Sequence, residues 1–195
     1  MPADTPIPDG VRAFVAIRLA PEVDEAVARF QADLRPIGGD IAWVRPANFH
    51  LTLRFLGNKV AAGLVKSMID GLGEIASATA PFVVQARGAG AFPSLSRARV
   101  IWIGLHDGEL VRVAAEVEAL SVRCGLEPEA RRFTPHLTIG RARTPTRNAP
   151  IRDAIAAAAE RDFGGSSIGS IALYRSLLSP HGATYQALAT LPFSG

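Results

Sequence analysis

Residues 49–57 read FHLTLRFLG, and residues 135–143 read PHLTIGRAR. The chain has four histidines, and two of them head the same pattern: His50-Leu51-Thr52-Leu53 and His136-Leu137-Thr138-Ile139. Both stretches are rich in apolar and β-branched residues, and a glycine lies in or just after each. Each therefore reads as a strand. Side chains alternate along a strand, so each histidine shares a face with its threonine while the apolar residues point the other way.

Working outward, similar elements surround both motifs. VRAFVAIRLA (11–20) is a strand closed by Pro21, and Pro21–Leu34 carries apolar residues at three- and four-residue steps behind an acidic first turn, a helix signature. IAWV (41–44), a turn at 45–48 and the His50 strand follow. A helix from about 60 to 76 and a strand at 81–92 complete the first unit. The second unit has a strand at 98–105, a turn at 106–108, a helix at 109–124 and the His136 strand. A helix at about 150–161 and strands at 168–178 and 184–191 come next, the last two joined by a turn at 179–182. The chain thus reads as one domain over 1–195, with lobe-forming repeats of about 11–92 and 98–192 related by a pseudo-twofold axis.

The composition bounds the rest. With 195 residues, 48% of them hydrophobic, the chain can bury one substantial core. No run approaches the ~18–20 apolar residues of a membrane helix. MPADTPIPDG at the start lacks the pattern of a secretory signal and reads as a disordered lead-in. The one cysteine, Cys124, permits no internal disulfide and reads as a structural spacer. A cytoplasmic monomer is the expectation. The net charge of +3 permits an anionic ligand without demanding one. Of 21 basic residues only Lys59 and Lys66 are lysines, leaving 19 arginines, the residue suited to bidentate phosphate contact. Codon bias explains an arginine excess equally well.

Two His-x-Thr faces meeting across a twofold axis suit general acid–base chemistry. An imidazole with pKa near 6.5 can accept a proton while its partner donates one. Set on either side of a phosphorus atom, they serve an in-line displacement, and Thr52 and Thr138 supply donors for the non-bridging oxygens. A zinc site is the chemical competitor, but a catalytic zinc usually takes three protein ligands. Neither motif has a carboxylate on its face, and the remaining histidines, His106 and His181, fall in turns. A Ser/His/Asp hydrolase lacks its Gly-x-Ser-x-Gly elbow.

The chain also resembles the two-histidine (2H) phosphoesterases, and among them the RNA 2′,3′-cyclic phosphodiesterases, once called 2′-5′ RNA ligases. The likeness runs through RAFVAIRL, WVRPANFHLTLRFLG, GAFPSLSRARVIW, FTPHLTIGRAR and YRSLLSPHGATYQAL. It implies an α+β bilobal fold, with antiparallel sheets lining a central groove and helices outside. It implies metal-free, cofactor-free opening of a ribonucleoside 2′,3′-cyclic phosphate to a 2′-phosphomonoester, on an RNA end or a small cyclic nucleotide. By position, His50 is then the proton donor and His136 the proton acceptor. Thr52, Thr138 and Arg141 bind phosphate, and Phe14 matches an aromatic of the groove. Trp43 and Phe49 are weaker stacking candidates. Arg54 stands where the family often has lysine; alternation puts it on the histidine face, where it reads as a solvated charge in preference to a phosphate contact. Arg97, Arg99, Arg131 and Arg132 read as a solvated rim able to guide RNA. Two alternatives remain: ATP-independent 2′-5′ ligation at the same site, or an RNA-binding module without turnover.

Overall fold

The nine strands and four helices run β1 (Val11–Ile17), α1 (Pro21–Leu34), β2 (Ile41–Trp43), β3 (Leu51–Val60), α2 (Ala62–Ser77), β4 (Phe82–Phe92), β5 (Ala98–His106), α3 (Gly108–Arg123), β6 (His136–Thr146), α4 (Ala149–Ala157), β7 (Asp162–Ile168), β8 (Ser170–Ser179) and β9 (Gly182–Pro192). They belong to a computed structural model that describes residues 7, 9–146, 148–180 and 182–195. The lead-in over 1–6 and 8, and His181 of the 179–182 turn, lie outside the described residues. Local chemistry places the helix ends. Pro21 opens α1 with Glu22 and Asp24 in its first turn, and the Asp107 carboxylate caps α3 by accepting from the Leu110 N–H at 3.0 Å. Strand β7 is a strand that periodicity does not indicate. FGGS carries too little apolar signal, yet β7 pairs with β4 from Phe82–Ile168 to Arg87–Asp162.

All pairings are antiparallel, in the order β7-β4-β5-β6-β3-β1-β8-β9, with β2 on β6. The α+β class and the duplication follow. β3 with β1 mirrors β6 with β5; β8 lies beside β1 as β4 lies beside β5. Each first strand is therefore flanked by a strand from the opposite half of the chain, an exchange that no linear repeat reveals. β3 and β6 themselves meet at one pair, Leu51 with Leu137, both buried. The helix-covered face holds the core, including Val23, Val27, Phe30, Val65, Met68, Leu72, Leu110, Val113 and Val117.

The two motif strands share a further device. Between Ala16–Thr52 and Val15–Arg54 the register slips by one, making Leu53 a bulge. Between Trp102–Thr138 and Ile101–Gly140 it slips again, at Ile139. Both bulges fall on the fourth residue of the motif, and beyond each the alternation is inverted. This corrects the reading of Arg54. It shares a face with buried Val15 rather than with His50, is 7% exposed, and pairs with Glu118 of α3 at 3.0 Å and Glu129 at 3.5 Å. Its guanidinium also donates to the Glu127 carbonyl. Arg54 is a buried tie between sheet and helix, not a solvated charge.

Candidate active site

The Leu51–Leu137 pair fixes the geometry. Both leucines point into the core, so the residues on either side of them point into the groove. The antiparallel register sets His50 opposite Thr138 and Thr52 opposite His136, four polar side chains on one face around the axis. In such an array diagonal neighbours stand roughly 7–8 Å apart at Cα. His50 itself precedes β3 by one residue, while His136 opens β6. The imidazole of His50 senses that of His136 electrostatically.

The two rings are held alike. His50 Nδ1 lies 2.7 Å from the Asn48 carbonyl, and His136 Nδ1 lies 2.7 Å from the Thr134 carbonyl. A carbonyl only accepts, so Nδ1 carries the proton and each neutral ring keeps its Nε2 lone pair free. Burial pushes His50 below the ordinary histidine value. The Asn48 carbonyl opposes the shift, and Arg18, Arg141 and His136 add to it. Burial likewise lowers His136, against the Thr134 carbonyl and together with Arg141. Among the described residues neither threonine hydroxyl has a recorded hydrogen-bond partner, so both are free for a ligand.

Arg141 reaches the groove because of the Ile139 bulge. Five residues after His136, simple alternation puts it on the core face; the bulge pairs it with Val100 on the groove face instead. It is exposed, and its charge acts on both histidines. Buried Gln31 braces this bulge: its side-chain N–H donates to the Ile139 carbonyl at 2.8 Å and the Val44 carbonyl at 2.7 Å.

Phe14 lines the groove beside His50, with ring centroids 4.9 Å apart. Tyr174 stacks on Phe14 at 5.5 Å, and Tyr185 meets His50 edge-on at 5.1 Å. With Arg18 and Ala47 these rings line a small pocket of about 50 Å³. On the opposite wall Phe92 and Trp102 flank His136 at 5.1 and 6.5 Å. Sequence reasoning did not single out Arg18, Tyr174, Tyr185, Phe92 or Trp102. The tyrosines come from the β8–β9 hairpin, which strand exchange carries to the first histidine. Arg18 donates to the Ala47 carbonyl at 2.6 Å and to Asp24 at 3.2 Å. Burial, outweighing Arg18, pushes the Asp24 carboxyl up to about 6. Of the weaker candidates, Phe49 is wholly buried in the core, and the Trp43 ring packs over Gly38 and Gly140. His106 bonds the Arg87 carbonyl at 3.1 Å. Among the described residues no group of three or more His, Cys, Asp or Glu is placed to hold a metal ion.

Residues 17–102 and 103–185 each match the family model described as LigT like Phosphoesterase. The chain belongs to the LigT-like phosphoesterase family. Its two matches follow the internal duplication, and each contains one histidine motif. An RNA 2′,3′-cyclic phosphodiesterase of Aquifex aeolicus is 33% identical over 190 residues, covering 95% of this LigT-like chain and 98% of the relative. A protein of the same name from Methanothermobacter thermautotrophicus is 31% identical over 176 residues, covering 90% and 95%. Among solved structures, a Thermus thermophilus protein matches with a TM-score of 0.80 at 27% identity, covering 94% of this chain and 98% of its own. Escherichia coli LigT complexed with 3′-AMP matches at 0.79 and 25%, covering 96% and 100%.

Proposed function

We propose that this chain hydrolyses 2′,3′-cyclic phosphates, on RNA ends or free nucleosides, to 2′-phosphomonoesters by two-histidine acid–base catalysis without a metal. The observation that carries the reading is the pair of imidazoles, equally offset from the Leu51–Leu137 pair, each with Nδ1 tied to a carbonyl and Nε2 free. The names of the relatives and the 3′-AMP held by Escherichia coli LigT support a nucleotide substrate.

In this mechanism His136 Nε2 removes a proton from water as the water oxygen attacks phosphorus. The P–O3′ bond breaks in line, and protonated His50 gives its Nε2 proton to the departing 3′ oxygen. One water is consumed, and the pair ends with its proton moved from His50 to His136. Thr52 and Thr138 hydroxyls and the Arg141 guanidinium hold the non-bridging oxygens. Two walls of aromatic rings offer stacking surfaces for a base. The test is product analysis on a nucleoside 2′,3′-cyclic phosphate with EDTA present. A 2′-phosphate as sole product is the expected result; a 3′-phosphate, or turnover abolished by EDTA, overturns the mechanism.

The pH dependence follows from the same geometry. The productive enzyme carries one proton on the histidine pair, a form that predominates between the pair's two macroscopic pKa values. Burial lowers both imidazoles, so both limbs lie below the ordinary value of about 6.5. A bell-shaped kcat/KM profile with its maximum on the acid side of pH ~6.5 is expected. A profile flat from pH 5 to 9 contradicts a donor–acceptor pair.

Thr52→Val and Thr138→Val keep the strand propensity and approximate volume but remove the hydroxyl. A hydrogen bond to a charged group contributes about 1.5–3 kcal/mol, so each change lowers kcat/KM roughly 10–100-fold with little change in Tm. Steady-state kinetics on both variants checks this. Equal activity with the parent removes that threonine from the phosphate site.

A further inference from the structure

A second cavity is larger than the pocket beside His50. It lies between the 3₁₀ turn Leu95–Arg97 and α4, has a volume of about 370 Å³, and is lined by Leu95, Ser96, Arg97 and Arg152. That size lies within the range of small-ligand sites. Its lining includes two exposed arginines, a serine hydroxyl and one aliphatic side chain.

The cavity adjoins the catalytic groove along the chain. Phe92 ends β4 against the His136 ring, and Leu95 follows three residues later, at most ~10 Å of extended backbone. β5 starts from the same turn and pairs through Val100 with Arg141. Its arginines are also available. Most arginines here have recorded partners, as Arg54, Arg87 and Arg112 do with glutamates. The Arg97 guanidinium has none among the described residues, and the Arg152 guanidinium meets only the exposed carboxylate of its neighbour Asp153. Such an exposed pair contributes little and exchanges readily for a stronger anion. Planar guanidinium groups match phosphate oxygens in bidentate fashion.

We propose that this cavity is a backbone-phosphate subsite, occupied by a nucleotide upstream of the reacting 2′,3′-cyclic end, and that the enzyme therefore favours oligoribonucleotides over free cyclic nucleotides. The proposal rests on the reading of the histidine site given above. Ser96, whose hydroxyl lies 3.1 Å from that of Ser94, supplies a further donor. Leu95 offers an apolar surface to the sugar.

The test compares two substrates, a nucleoside 2′,3′-cyclic phosphate and a ten-residue RNA ending in a 2′,3′-cyclic phosphate. They are assayed with the full chain and with the double variant Arg97→Ala/Arg152→Ala. The expected result is a loss of about 5–20-fold in kcat/KM on the oligomer, carried by KM, with nucleoside turnover and Tm unchanged. Each phosphate contact on a single strand contributes ~0.7 to the slope of log affinity against log salt. With that one backbone phosphate no longer held, the double variant should therefore show a slope shallower by about 0.7 on the oligomer alone. Arg97→Glu should weaken the oligomer further by repulsion. Equal losses on both substrates, or no loss on either, overturn the subsite while leaving the histidine reading intact. A parent inactive on both substrates overturns both readings.

Discussion

Replacing His50 or His136 with alanine is expected to lower turnover of a nucleoside 2′,3′-cyclic phosphate by about 10²–10⁴-fold, the usual contribution of a positioned acid or base. Both rings are half-buried and lie on the groove face, so the core opposite them is untouched and Tm should move little. The double variant should be scarcely worse than either single one, because a proton donor without an acceptor no longer completes the displacement. The variants also separate the two roles. An aryl phosphodiester expels a phenolate that needs no protonation, so it should restore much of the rate to His50→Ala and little to His136→Ala. The reverse pattern exchanges the roles of acid and base. Near-parental turnover in both variants removes the histidines from the chemistry altogether.

The motif strands were legible because each consists of short-range information: a polar face, an apolar face and breakers at the ends. The duplication was legible because it repeats in order. Other features depend on partners distant in sequence. The bulges at Leu53 and Ile139 exist only as a register slip against β1 and β5. They decide that Arg54 turns inward to Glu118 and that Arg141 turns outward to the histidines. Alternation alone assigns each of the two to the wrong face; the resemblance named Arg141 by position, without geometry. Tyr174 and Tyr185 were hidden for a related reason. They lie in the closing hairpin, remote from His50 in sequence, and reach it only because β8 crosses to pair with β1. Strand β7 escaped notice because its glycines and serines carry no periodic apolar signal, and its stability derives from pairing with β4.

The dependence of the site on one central pair leads to the second large effect. Leu137→Ala, and separately Leu51→Ala, should each destabilise the fold by about 2–5 kcal/mol, the range for emptying a fully packed leucine position. In a chain of this size that corresponds to a fall of roughly 5–15 °C in Tm. Leu72→Ala in α2 is the matched control, since Leu72 is equally buried but lies on a helix rather than at the axis. The two kinds of cavity should differ in activity. At a temperature where every variant is folded, Leu72→Ala should keep parental kcat. Leu137→Ala should lose rate, because it empties the packing beneath the ladder contact between β3 and β6 that holds the two histidines in mutual register. A misplacement of about 1 Å in a reacting group can cost ~10²-fold. The double variant Leu51→Ala/Leu137→Ala should be less destabilised than the sum of its parts, as expected when two truncations open one shared space. If the axis variant and the helix variant lose stability equally and both retain full kcat, the histidines are held by their own strands. The joint between the lobes is then structural only.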